Sequence, residues 1–376
     1  MIFVYGKICN MRGVFIMIDS NSIYNNASIP LTEDFIKKVV INFITMTIDC
    51  EKYIPRFPDK FEPYKAFYQF LKDDTNKGTS VYNSIINLND NLIKDAVQFG
   101  KYTPLLENGN QLSPITANQI GWYSYQSWHL SNDNRYNKGE ISHRFYISAD
   151  SSIIPKFIVV LKEKLEQMAI PYYFKVSSAS IVGNTQKDGI VIYSSTNNLN
   201  QVILALQEIQ NEYPDIVQKC NEPHLFCGNI NGWIGYANEI KNQKNSYTNL
   251  MSKIMYDSFE ASVLDWIREN SEVTINDGSK NVKVSQYFNR NIINEESQKD
   301  YITYIKRLGH LIHVIPKFDK NFKPKLYRII KNNLIKNNID PNNICFNFDV
   351  LEELVEYNNH LTKSQDITNH NTDFKI

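Results

Sequence analysis

Two cations and two phenols occupy alternating positions in three short apolar segments near the middle of the chain. Arg144 and Tyr146 lie in HRFYIS, Lys175 lies in YYFKVSS, and Tyr193 lies in DGIVIYSS. An arginine offers a planar fork that holds two phosphate oxygens at once, and a lysine can accept a proton once its pKa is lowered. The combination therefore suits the binding and the chemistry of a phosphate group.

The segments that carry these residues are predicted β-strands, because polar and apolar side chains alternate along them. The alternation places all four polar residues on one sheet face, and it places an apolar set on the other face: Phe145, Ile147, Phe174, Val176, Ile190 and Ile192. A solvated sheet face carries Lys, Arg and Tyr as well. The pattern alone leaves both readings open.

Two amphipathic helices follow the first and third of these strands. Ser151 or Ser152 is expected to cap SSIIPKFIVVLKEKLEQM, which has Pro155 in its first turn, and NLNQVILALQEIQNEY ends before Pro214. The succession predicts an α+β fold with a small mixed or antiparallel sheet packed by helices. We divide the chain into a helical N-terminal region (1–100), an α+β core (101–270) and a helical C-terminal region with a polar tail (271–376).

Composition excludes several classes of protein. The 40 Lys and Arg residues balance 40 Asp and Glu residues, so net charge favours neither nucleic acid nor an anionic membrane as a partner. The five cysteines are scattered, which favours a reducing compartment. Cys50 and Cys227 are candidate nucleophiles, although a small buried hydrophobe is the commoner role. Lys7 and Arg12 interrupt the apolar N-terminus, so we expect neither a membrane span nor a signal peptide.

Standard motifs for nucleotides, serine hydrolysis and zinc are missing from the sequence. It has no GxGxxG, GxxxxGK[ST], GxSxG or HExxH. His310 and His313 are three residues apart on a predicted helix, but a metal needs more ligands than this pair supplies. We therefore predict no metal site.

The order of the motifs over roughly 121–259 resembles that of the HopA-type effector family. The matching pieces are Arg144-Phe145-Tyr146, Pro171 to Lys175, Asp188 to Tyr193, Pro223 with Phe226, Gly232 to Glu239, and Ser246-Tyr247. Such proteins occur as type III effectors of plant pathogens. They also occur as stand-alone partners of kinases in ribosomal-peptide pathways, such as class V lanthipeptide and thioamitide biosynthesis, where the domain is similar to phosphothreonine lyases.

The resemblance implies β-elimination of phosphate from phosphoserine or phosphothreonine in a peptide, giving dehydroalanine or dehydrobutyrine without a cofactor. The implied partners are a phosphorylated precursor peptide and a separate peptide kinase, with no nucleic acid and no membrane. We expect a cytoplasmic protein, or one that acts in the host cytoplasm as a secreted effector. The alternative is a catalytically inactive phosphopeptide-binding or type III effector module on the same fold.

The resemblance also implies roles for the four polar strand residues. Lys175 matches the family lysine and is the candidate base, Tyr193 matches the family tyrosine and would donate to the phosphate or the enolate, and Arg144 would hold the phosphate. Tyr146 is the first candidate for the general acid, because it lies where the distant phosphothreonine lyases carry a histidine.

Departures from the family pattern give the remaining candidates. Lys187 and Lys253 lie near positions where the family has arginines, so we expect them to bind phosphate. Asp188 matches a family aspartate and is a supporting residue. His143 is one residue out of register and is expected to face the other way, and His129 is a weak alternative for the acid.

Overall fold

The computed structural model describes residues 27–54, 62–72, 122–126, 141–150, 153–168, 170, 172–177, 189–239, 246–276, 280–288 and 298–356. The helices in these ranges are α1 (Glu33–Ile48), α2 (Tyr64–Lys72), α3 (Ile154–Gln167), α4 (Leu199–Glu212), α5 (Pro214–Val217), α6 (Tyr247–Glu269), α7 (Val284–Tyr287), α8 (Gln298–Phe318) and α9 (Phe322–Lys336). The chain is helical again from 348 to 356, and short 3-10 turns lie at Cys50–Tyr53 and Thr196–Asn198. The strands are β1 (Trp122–Gln126), β2 (His143–Ala149), β3 (Tyr173–Ser177), β4 (Ile190–Ser194), β5 (Cys220–Asn221), β6 (Gly228–Ile230), β7 (Ile234–Asn238), β8 (Thr274–Asn276) and β9 (Asn281–Lys283).

Seven of these strands form one sheet with the order β1-β3-β4-β2-β7-β6, and β5 pairs with the end of β2. Every pairing in this sheet is antiparallel. Strands β8 and β9 form a separate two-stranded sheet. An antiparallel seven-stranded sheet packed by helices confirms the α+β prediction.

Local sequence signals explain where several helices begin. Thr32 precedes α1 and its hydroxyl accepts a hydrogen bond from the backbone N–H of Phe35 at 3.1 Å. Ser246 precedes α6 and accepts from the N–H of Asn249 at 3.3 Å. Both contacts satisfy a backbone donor that the first turn of a helix leaves without a partner. The proline near the start of α3 needs no such partner.

The apolar side chains of the central strands form the middle of the core. Phe145, Ile147, Phe174, Val176, Ile190 and Ile192 are all buried. Phe157 of α3 packs against Trp233 with ring centroids 6.1 Å apart. The indole of Trp233 donates to Gln210 of α4 at 3.1 Å, so one side chain next to β7 ties both helices to the sheet.

One hydrophobic core draws on all three predicted regions of the chain. Phe43 of α1 contacts Phe67 of α2 with centroids 5.3 Å apart, and it contacts Phe259 of α6 at 5.0 Å. Buried residues of α8 and α9 join the same cluster. The division at residues 101 and 271 stays a prediction. Within the described ranges, the helices are too short or too polar to cross a membrane.

Candidate functional site

Backbone pairing places the four predicted polar residues in two neighbouring rows of the sheet. Arg144 lies opposite Tyr193, which lies opposite Tyr173 on the next strand. Tyr146 lies opposite Val191, which lies opposite Lys175. Residues directly opposite each other in antiparallel strands share a face. The two rows therefore present Arg144, Tyr146, Lys175 and Tyr193 together on one face.

The side chains of three of these residues meet at the ring of Tyr193. The guanidinium carbon of Arg144 is 4.9 Å from the ring centroid, and the Nζ of Lys175 is 5.7 Å from it. The ring of Tyr173 lies beside the same phenol, with centroids 4.9 Å apart. A cation within about 6 Å of an aromatic face is attracted by its quadrupole. Tyr193 thus holds two cations against its ring.

Arg144 is mostly enclosed and carries a carboxylate partner. Its Nε forms an ion pair with Oε2 of Glu239, and each side chain is only 13% exposed. Burial alone would lower the pKa of Arg144, but the phenol oxygens of Tyr146 and Tyr193 outweigh burial and raise it. The guanidinium therefore stays charged, and the poorly solvated surroundings strengthen its attraction for an anion.

Tyr146 is packed closely against the next strand. It lies opposite Gly235 of β7, and a Cβ built at Gly235 would be 3.1 Å from the Cβ of Tyr146. A side chain at this position would make Tyr146 shift by a few tenths of an ångström, because most real Cβ contacts are longer. The glycine segment thus has a direct packing role beside the candidate acid, which is 3% exposed.

Sequence reasoning missed two residues that lie at the same place. Tyr68 on α2 acts electrostatically on Arg144, although it is far from that residue in sequence. The spacing of Tyr64 and Tyr68 in YKAFYQFLK was the only signal, since residues four apart share a helix face. Glu239 was part of the matched glycine segment but had no role assigned to it.

Lys253, a predicted phosphate ligand, lies on α6 beside α2. Its Nζ pairs with Asp257 at 2.6 Å and is 5.5 Å from the ring of Tyr64. Tyr64 and Tyr68 are about one helical turn apart on α2, and Tyr68 acts electrostatically on Arg144. Lys253 therefore contacts the ring that lies one turn before Tyr68. This contact places the cation beside α2, the helix that carries Tyr68.

His143 lies on the opposite face of the sheet, where it is completely buried. Its Nδ1 is 2.6 Å from the hydroxyl of Tyr236, and its Nε2 is 3.2 Å from Oγ1 of Thr196. Burial lowers the pKa of His143 to about 3, although Glu353 acts in the other direction. The ring is neutral at physiological pH and belongs to a buried polar network.

The remaining candidates are placed as follows. His129, Lys187 and Asp188 lie outside the described residues. In the part of the chain that the structure describes, no group of three or more His, Cys, Asp or Glu residues could hold a metal. Burial raises the pKa of the Cys50 thiol to about 11, which disfavours the reactive thiolate, and Cys227 is buried.

The fold and this face define an α+β protein whose sheet carries paired cations among phenols. Residues 126–266 match the HopA1 effector protein family, so the resemblance predicted from the motifs is confirmed. An effector protein from Pseudomonas syringae pv. syringae strain 61 is 11% identical, with a TM-score of 0.47 over 83% of this chain and 98% of that chain. An effector protein from Pseudomonas syringae pv. tomato strain DC3000 is also 11% identical, with a TM-score of 0.46 over 84% and 99% of the two chains. No curated protein sequence matches this chain.

Proposed function

We propose that this protein is a phosphoserine/phosphothreonine lyase that eliminates phosphate from a phosphorylated peptide. The observation that supports the proposal most is the convergence of Arg144 and Lys175 over Tyr193, at 4.9 and 5.7 Å from its ring centroid. A phosphate group needs charge-assisted donors, and elimination needs a base close to those donors. This face supplies both kinds of group from three adjacent strands.

The elimination is balanced with these residues alone. The neutral amine of Lys175 takes the α-proton of the phosphorylated residue, and the C–H electron pair forms the Cα=Cβ double bond. The Cβ–O bond breaks at the same time, and its electron pair leaves with the phosphate. A phenol, Tyr146 or Tyr193, donates a proton to the leaving oxygen, and the proton now on Lys175 then passes to the phenolate, which restores both groups. The products are inorganic phosphate and dehydroalanine or dehydrobutyrine.

Arg144 stabilises the charge that grows on the departing phosphate. Its side chain is 13% exposed, and preorganised charges act more strongly in an enclosed site than in water. The nearby amine of Lys175 benefits too, because a neighbouring cation favours the neutral form that accepts a proton. One cation thus supports both the leaving group and the base.

The substrate follows from this chemistry and from the family resemblance. The site would act on a peptide that a separate kinase has phosphorylated on Ser or Thr, in the maturation of a ribosomal peptide or, for a secreted effector, in the host cytoplasm. Neither nucleic acid nor membrane enters the reaction. Lys187, Asp188 and Lys253 would add to the peptide or phosphate contacts.

The test uses the full chain with synthetic phosphoserine and phosphothreonine peptides. Mass spectrometry should show loss of phosphoric acid, and an added thiol should label the dehydro residue. Lys175→Ala should lower the rate about 10²- to 10⁴-fold, the contribution of a positioned base. The affinity for the phosphopeptide, measured in parallel, distinguishes a lyase from a catalytically inactive phosphopeptide-binding module. A protein that binds the phosphopeptide but yields no product, with affinity unchanged in Lys175→Ala, is a binding module and refutes the lyase proposal.

A further inference from the structure

Glu239 holds Arg144 from the end of strand β7. The residue follows Asn238, the last residue of β7, and its Oε2 pairs with Nε of Arg144. Ala237 lies directly opposite Arg144, so Glu239 is two residues further along and shares the same face. The carboxylate is thus an integral part of the phosphate-binding face in the proposed function.

The backbone of Glu239 is fixed from both sides. Its N–H donates to the carbonyl of Ser142 at 2.9 Å, and its carbonyl accepts from Nδ2 of Asn347 at 2.8 Å. These two hydrogen bonds restrict the backbone of Glu239 and therefore fix the position of its Cα atom. The ion pair therefore connects Arg144 to a rigid part of the fold.

Three described side chains contact Arg144. Glu239 pairs with its Nε, the ring centroid of Tyr193 is 4.9 Å from the guanidinium carbon, and Tyr146 forms a side-chain hydrogen bond with the guanidinium. The Nη amino groups lie on the edge away from Nε, and that edge is the one that binds two oxygens of a phosphate. Fixing the Nε edge therefore determines the direction in which the phosphate-binding edge points.

We infer that Glu239 is a positioning residue and a counter-charge for Arg144. Held by Glu239, Arg144 selects a phosphate dianion in one orientation. The inference rests on the proposed function for the identity of the anion. The carboxylate orients the guanidinium, and its negative charge opposes the incoming phosphate. Phosphate is therefore held in a defined pose but is not retained tightly after elimination.

Two substitutions separate orientation from charge. Glu239→Gln keeps an oxygen that can accept from Nε–H and removes the charge, so inorganic phosphate should bind about tenfold more tightly. Glu239→Asp keeps the charge and withdraws it by one methylene, so phosphate affinity should stay near native while kcat falls about tenfold or more, because displacements of about 1 Å cost up to 10²-fold. Calorimetric titration with inorganic phosphate and steady-state elimination supply the two readouts.

Glu353→Gln is the matched control. Glu353 is a partly buried carboxylate near the same end of the sheet, where it accepts from Ser142 at 2.9 Å and from Thr196 at 3.1 Å. This variant should bind phosphate with native affinity even if it unfolds at a lower temperature. A change that appears equally in both Gln variants would show a general loss of packing and would overturn the inference.

The outcomes for the inference and for the lyase proposal are distinguishable. If the native protein eliminates phosphate but both Glu239 variants match it in phosphate affinity and kcat, the inference fails and the lyase stands. If the native protein binds phosphate, Glu239→Gln tightens it and no elimination occurs, the anion site stands and the lyase fails. A native protein that does not bind phosphate overturns the inference. If Glu239→Gln does not fold, a native kcat in Glu239→Asp also overturns it.

Discussion

Gly235 provides a quantitative test of how the sheet holds the candidate acid. A Cβ at this position would lie 3.1 Å from the Cβ atoms of Tyr146 and Pro223 and 3.2 Å from that of Cys227. Each neighbour must give by a few tenths of an ångström, and overpacking of this kind costs about 1 to 3 kcal/mol. Alanine also restricts the unfolded chain, which returns about 0.4 to 1 kcal/mol. We therefore expect Gly235→Ala to lower the free energy of unfolding by about 0 to 2.6 kcal/mol.

Gly235→Ala should also lower elimination by more than its stability loss accounts for, because the strain falls on Tyr146. Urea denaturation gives the first quantity, and the elimination rate measured far below the unfolding transition gives the second. Gly232→Ala is the control, since a Cβ there meets nothing within 4 Å and only its φ of +85° is unfavourable. It should lose about 1 to 2 kcal/mol and keep native kcat. A Gly235→Ala protein of native stability and rate would refute the packing argument.

Three further predictions concern charge. Arg144→Ala leaves Glu239 enclosed without its cation, so it should lose about 3 to 5 kcal/mol of unfolding free energy and all measurable phosphate binding; native stability in urea would contradict the ion pair. Burial holds the pKa of His143 at about 3 in the folded protein, whereas the pKa is about 6.5 in the unfolded chain. Between these two pH values the unfolded state binds one more proton than the folded state. The free energy of unfolding should therefore fall as the pH drops from about 6.5 towards 3. His143→Asn should flatten this pH dependence in urea titrations, and an unchanged slope would assign it to other groups. Lys253→Ala breaks an exposed ion pair and a contact with the ring of Tyr64, so it should cost about 0.5 to 1.5 kcal/mol. It should also weaken phosphopeptide binding in a polarisation assay; native affinity would remove Lys253 from the site.

Local alternation was sufficient to predict the shared face of β2, β3 and β4. The period of two in HRFYIS and YYFKVSS determines which side chains lie together once the strands pair in an antiparallel sheet. This alternation alone was enough to predict that Arg144, Lys175 and Tyr193 lie on the same face of the sheet. The family resemblance then supplied an ordered set of motifs that the match over residues 126–266 confirms.

Sequence could not predict what covers that face, because packing between distant elements decides it. Tyr68 of α2 acts electrostatically on Arg144, and its neighbour Phe67 packs against Phe226 with ring centroids 6.4 Å apart. Nothing local in the N-terminal segment indicates which strand it will meet. Glu239 was visible as the end of a motif, but its role depends on the pairing of β7 with β2, and strand order is a tertiary property.

The most direct test of the central claim follows the α-hydrogen of the substrate. The native protein is incubated with a phosphothreonine peptide deuterated at the α-carbon of that residue, and the product is examined by mass spectrometry. A lyase that uses Lys175 as its base predicts a dehydrobutyrine product that has lost both phosphate and deuterium, and no such product from Lys175→Ala. Release of phosphate with the deuterium retained on threonine would show hydrolysis instead, and would contradict the proposed elimination.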